Sequence, residues 1–208
     1  MAMLQRFIRH AGASTAAEFA LVLPTALLLL FGIIDVGRYA WQLNEYEKAT
    51  QMATRMAVVT DIASTGLASS TLTYVGNTSC GAALVAGQRI CSEALGTITC
   101  TSTACSCTGN CPTSFSTQVV TAAMQRIVGR VQQFQPRVAA NQVTVEYRGS
   151  GIGYAGDPKK PEISPIVTVR VSNARYEAIT LSPVGGTVAL PDFSYSLTLE
   201  DGLGAASG

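Results

Sequence analysis

The chain has 208 residues, enough for one domain of ordinary size and a membrane anchor. Apolar residues make up 48% of it and charged residues only 13%, a balance poor in charge for a soluble protein and suggestive of a membrane segment. The formal net charge of +1 excludes a global electrostatic case for nucleic acid or for an acidic partner. The sign is unevenly placed. Residues 1–13 hold Arg6 and Arg9 and no acid, and acids slightly outnumber bases in the rest.

The first predicted element follows that basic start. From Phe19 to Ile34 the chain reads FALVLPTALLLLFGII, without a charge. A run of about 16 residues covers about 24 Å as a helix, slightly short of the roughly 20 residues of a full span. The span is therefore placed at about residues 16–35, interrupted by Glu18 at its head. Arg6 and Arg9 precede it, so the N-terminus is expected in the cytoplasm and the C-terminal part outside it. A secretory signal peptide shares the charged start, but it should end in a small-x-small cleavage site. Here Asp35-Val36-Gly37-Arg38 follows directly, and a site ending at Gly37 would put the Asp35 carboxylate three residues back from the cut.

Nothing stops a helix after Asp35. Val36, Tyr39, Leu43, Tyr46, Ala49, Ala53 and Met56 recur at spacings of three and four, one face of an amphipathic helix. Glu45, Glu47, Lys48 and Gln51 take the opposite side. Gly66 and its Ser/Thr neighbours end the pattern. One helix over residues 14–62 is predicted, apolar all round in its first half and amphipathic in its second. Pro24 removes one helical hydrogen bond and should kink or loosen the apolar half. Asp35 reads as a marker of the outer membrane surface, paired with Arg38 three residues on.

These residues carry a resemblance. The stretch from Gly12 to about Val59 resembles the N-terminal region of TadE-like pseudopilins of the Tad (Flp-type) pilus system. The shared features are the basic leader with Arg6 and Arg9, Gly12-Ala13, Glu18-Phe19, Pro24 and Asp35-Val36-Gly37-Arg38. They cover about a quarter of the chain. The resemblance implies cleavage by a prepilin peptidase on the cytoplasmic face. In type IV pilin-like proteins the glutamate stands five residues after the cut, which places the cut between Ala13 and Ser14. Gly12–Ala13 stays open as the alternative, because Gly before the cut is the more usual residue. Residues 1–13 are then a leader that is removed. The implied partners are other pilin-like subunits through the N-terminal helix, the peptidase, the pilus assembly platform and membrane lipid. No cofactor is implied.

Glu18 has a physical role independent of the resemblance. An ionisable group within an apolar segment is costly and usually has a partner. The free amine of a neighbouring processed subunit would neutralise it and set the axial register, with Phe19 beside it. The competing reading keeps Glu18 at the membrane interface in the first helical turn, where the helix dipole favours an acid.

A Ser/Thr-rich region, residues 63–115, contains all six cysteines: Cys80, Cys91, Cys100, Cys105, Cys107 and Cys111. An even number in an exported domain reads as disulfides, and six cysteines allow 15 pairings. A zinc site fits poorly: Cys107-x₃-Cys111 has suitable spacing, but the sole histidine, His10, lies in the leader. The region otherwise reads as a loop with little apolar content.

Residues 116–208 are read as a helix plus an antiparallel sheet. The helix is predicted at about 116–134, with Val120, Met124, Ile127, Val131 and Phe134 inward and Arg126 and Arg130 on a solvated face. Val143, Val145 and Tyr147 alternate with polar residues, as do residues 166–172 and the set Phe193, Tyr195, Leu197 and Leu199. Gly151-Ile-Gly153-Tyr-Ala-Gly156 matches G-x-G-x-x-G, but Asp157-Pro158-Lys159-Lys160-Pro161 follows where a dinucleotide site needs a helix. It reads as a mobile surface loop. The fold class is thus α+β: a long N-terminal transmembrane and amphipathic helix packed on a pilin-like domain with a second helix and a small antiparallel sheet.

Acids such as Glu93, Glu146, Glu162 and Glu177 are scattered singly, and a cysteine nucleophile has no histidine base in the exported part. The chain reads as no enzyme. The expected function is a minor pilin or pseudopilin that takes part in assembling or priming a Tad pilus, anchored in the bacterial inner membrane by a single pass. The alternative is a membrane-anchored extracytoplasmic binding or adhesin module that never enters a filament.

Overall fold

The computed structural model describes residues 11–68, 72–112, 115–158, 162–181 and 185–199, and for residues 11–14 the backbone alone. The basic residues Arg6 and Arg9 of the expected leader lie outside them. The protein is α+β. Helix α1 runs over Ala11–Val58 and carries Pro24 in its interior. It ends where the hydroxyl of Thr60 donates to the Met56 carbonyl at 2.8 Å, a side-chain substitute for the next helical bond.

The described residues form two compact units, and α1 contributes to both: one holds α1 as far as Leu43 together with Arg175–Ala189, the other the described residues of Asn44–Ala174 and those from Leu190 on. In the first unit α1 is joined by a two-stranded antiparallel hairpin, β5 (Arg175–Glu177) and β6 (Thr187–Ala189). Gly186 lets the chain close back on Leu181. Its N–H donates to the Leu181 carbonyl at 3.0 Å, and a Cβ there would lie 2.8 Å from the Leu181 Cβ.

The second unit is built on a five-stranded antiparallel sheet of order β2-β1-β3-β4-β7. The strands are β1 (Thr97–Cys100), β2 (Cys105–Thr108), β3 (Val143–Arg148), β4 (Ile166–Val171) and β7 (Phe193–Thr198). Residues opposite one another share a face of such a sheet. One face therefore carries the rows Ile98, Tyr147, Val167, Leu197 and Cys100, Val145, Val169, Tyr195. The other carries Thr99, Glu146, Thr168 and Ser196. There the hydroxyls of Thr168 and Ser196 lie 2.8 Å apart. The apolar face receives the last turns of α1. Tyr46 stacks on Phe193 with ring centroids 4.9 Å apart, and the Thr54 hydroxyl reaches the Tyr195 carbonyl at 3.0 Å. Ala49, Ala53, Ala57 and Val58 are buried beside them. Helix α2 (Thr121–Gln132) buries Ala123, Met124, Ile127, Val128 and Val131. Its Arg126 pairs with Asp61 instead of standing in solvent alone.

Two expectations are corrected here. The Ser/Thr-rich region is not only loop: β1 and β2 lie within it and extend the main sheet. The segments TITC and CSCT supply β-branched residues and buried cysteines, and Cys100 and Cys105 behave there as small apolar side chains. The Gly151–Gly156 segment is tethered by backbone bonds on both sides rather than mobile. Ile90 N–H donates to the Gly153 carbonyl at 3.0 Å, Ala155 N–H to the Gln88 carbonyl at 2.8 Å and Tyr154 N–H to the Glu162 carbonyl at 3.2 Å. Gly153 has φ of 136°, and a Cβ there would meet the Glu162 carbonyl oxygen at 2.2 Å, so only glycine fits.

Tyr147 is fully buried, and its hydroxyl accepts the Ala63 N–H at 2.8 Å. Burial pushes its pKa above the ordinary tyrosine value, and burial raises Tyr74 in the same way. Their phenols are neutral in both states below a pH of about 10, where an unfolded tyrosine begins to ionise. Above it the unfolded chain loses protons that the folded one retains, so stability falls as pH rises. Alkaline unfolding is expected to begin just above that pH, seen as phenolate absorbance rising together with loss of circular dichroism. Tyr147→Phe should shift the transition upward while lowering stability at neutral pH, because Ala63 N–H loses its acceptor. An alkaline transition at the same pH in both proteins would show that Tyr147 does not drive it.

Candidate functional site

The site worth building upward is α1 up to Leu43 with the hairpin of its unit. Gly12, Ala13 and Ser14 lie in the helical backbone. Glu18 and Phe19 are exposed on its first turns, as are Leu21, Val22, Leu28, Leu29 and Leu30 further along. This helix is long and apolar enough to cross a membrane, with mean hydropathy 2.4 in its 18-residue window. Its apolar side chains face outward all round, unlike those of a core helix.

At the end of that run stands Asp35, and here the structure departs from the sequence reading. Asp35 is buried at 7% exposure, whereas its neighbour Val36, assigned to the buried face, is exposed. The reason is a set of donors from the hairpin unit. Oδ1 accepts from the Ile179 N–H at 2.8 Å and from the Tyr176 hydroxyl at 3.0 Å. Oδ2 accepts from the Thr180 hydroxyl at 2.7 Å and the Thr180 N–H at 2.9 Å. A carboxylate tolerates burial when its lone pairs are filled in this way. Arg38 is a distant companion, 3.9 Å from Oδ1. Its guanidinium carbon also lies 5.9 Å from the Tyr176 ring centroid, and Tyr39 meets that ring edge-on at 5.6 Å. Burial, and next the hydrogen bond to Asp35, push the Tyr176 hydroxyl above its ordinary pKa.

Asp35 is thus a clamp between helix and hairpin. The sequence offered one sign of it, a carboxylate directly after the apolar run, but its donors stand about 140 residues away in the chain.

The six cysteines form three disulfides, Cys80–Cys91, Cys100–Cys105 and Cys107–Cys111, so no thiol remains. Cys100–Cys105 bridges directly opposed residues of β1 and β2.

No curated protein and no solved structure matches the chain. Residues 13–55 match the family model of TadE-like proteins, so the part of α1 that carries Glu18, Phe19 and Asp35 is a TadE-like segment.

Proposed function

We propose that this protein is a minor pilin or pseudopilin that takes part in assembling or priming a Tad-type pilus. A TadE-like segment points to the Tad pilus in general. The observation that carries the finer reading is the coincidence of that segment with a helix whose apolar surface is exposed and headed by a carboxylate. Before assembly the helix is anchored in the bacterial inner membrane, with the basic leader cytoplasmic and the domain outside. A prepilin peptidase removes the leader between Ala13 and Ser14, or between Gly12 and Ala13. Within the filament, Glu18 pairs with the new amine of a neighbouring subunit and fixes the register, as burial of a charge in an apolar bundle requires. The protein is a structural subunit and not an enzyme. Its partners are other pilin-like subunits, the peptidase, the assembly platform and lipid.

Two measurements test this. N-terminal sequencing of protein from membranes should find Ser14 or Ala13 first when the peptidase is active, and the unprocessed start when it is not. Glu18→Ala should insert into the membrane in unchanged amount and abolish incorporation into pili. An unprocessed start in both strains, or normal piliation with the variant, refutes the corresponding step and moves a plain membrane-anchored binding module ahead.

A further inference from the structure

The hairpin beside Asp35 leaves apolar side chains uncovered. Ile179 and Leu181 are each 39% exposed and Val188 is 40% exposed. Their height along α1 is fixed, because Asp35 holds the backbone N–H groups of both Ile179 and Thr180. Leu181 is the next residue. These side chains are therefore tied to the end of the charge-free run Phe19–Ile34. Just beyond it on α1 come Arg38, Tyr39 and Trp41, the last 70% exposed and the single tryptophan of the chain. Trp41 lies about 9 Å past Asp35 at the helical rise. An apolar run, then a basic residue, then Tyr and Trp is the order found where a spanning helix leaves the hydrocarbon.

We infer that the β5–β6 hairpin is an interfacial collar, resting on the bilayer surface with Ile179, Leu181 and Val188 in the headgroup–acyl boundary and Trp41 at its upper edge. This rests on the reading that α1 spans a membrane through its apolar run. The occupant of the patch is lipid, because the patch continues the lipid-facing surface of α1 and is fastened to its last turn. The collar limits how deeply α1 can sink and fixes which of its faces turns toward the hairpin. Moving the subunit out of the bilayer then requires stripping lipid from the collar as well as from the helix.

The test uses the full chain in vesicles of phosphatidylethanolamine and phosphatidylglycerol, with bromine on the acyl chains either near the headgroup or near the bilayer centre. Single-tryptophan proteins are made in a Trp41→Phe background by adding Leu181→Trp, Val188→Trp or, as a depth control, Leu28→Trp. The control should lose fluorescence chiefly to deep bromine. The two hairpin tryptophans should lose most of theirs to shallow bromine, emit to the blue of free indole and resist iodide. If the control is quenched by deep bromine but both hairpin tryptophans answer only to iodide, the collar is refuted and the span stands. Shielding from both quenchers that grows with the protein-to-lipid ratio would assign the patch to a second copy and also refute it. A control untouched by bromolipid removes the spanning reading and the collar with it.

Discussion

Asp35→Ala is expected to free the β5–β6 hairpin from α1 while leaving the five-stranded sheet folded. The substitution removes the acceptor for two backbone N–H groups and two hydroxyls at once. Buried donors left without partners are costly, and the hairpin has only three paired positions of its own to hold it. The chain between β5 and β6 should therefore exchange its amide hydrogens with solvent and become the first site of proteolysis. Exchange at Ile179 and Thr180 should accelerate on the order of tenfold or more, since losing a single hydrogen bond to a charged group already has that weight. Asp35→Asn should be intermediate: one oxygen still accepts, but the amide NH₂ confronts donors on the other side. Unchanged protection at Ile179 and Thr180 in the alanine variant would show that the hairpin is held by something other than the carboxylate.

A second large effect is expected at Ile98. Its side chain is fully buried on β1, paired opposite Tyr147 on one side and Cys107 on the other. Ile98→Ala should cost about 2–5 kcal/mol of unfolding free energy, the usual range for opening a cavity in a core. Replacing both Cys100 and Cys105 by alanine should cost about 2 kcal/mol, because the loop that the bridge closes is short. Urea unfolding reads both. A stability loss within error of zero for Ile98→Ala would return this region to the status of a loop appended to the domain.

The two halves of the molecule differ in how openly the sequence announces them. The apolar run of α1 and the alternation in β3, β4 and β7 are local patterns, so they are legible over a few turns or residues. The face of α1 that packs on the sheet was legible too, from Tyr46 through Ala53. β1 and β2 were not, because Thr and Ser dilute the alternation and cysteine hides its apolar character behind its chemistry. Asp35 is illegible for a different reason. Its burial depends on donors supplied from residues 176–180, and no local pattern encodes a contact over that separation. Apolarity alone points Val36 inward, whereas hydrogen bonds bury its polar neighbour instead.

The disulfides have a consequence for biogenesis. Their sequence separations are 11, 5 and 4, and the cysteines pair consecutively: first with second, third with fourth, fifth with sixth. Of the 15 pairings open to six cysteines, this is the one that results when thiols are oxidised in order of emergence, two at a time. Short loops also close at the least entropic cost. An oxidase acting on an exported part that crosses in order, starting from the residues next to the anchor, would thus reach the native pattern without a proofreading isomerase. Maturation in cells that lack such an isomerase, but retain the oxidase, should proceed at the normal rate.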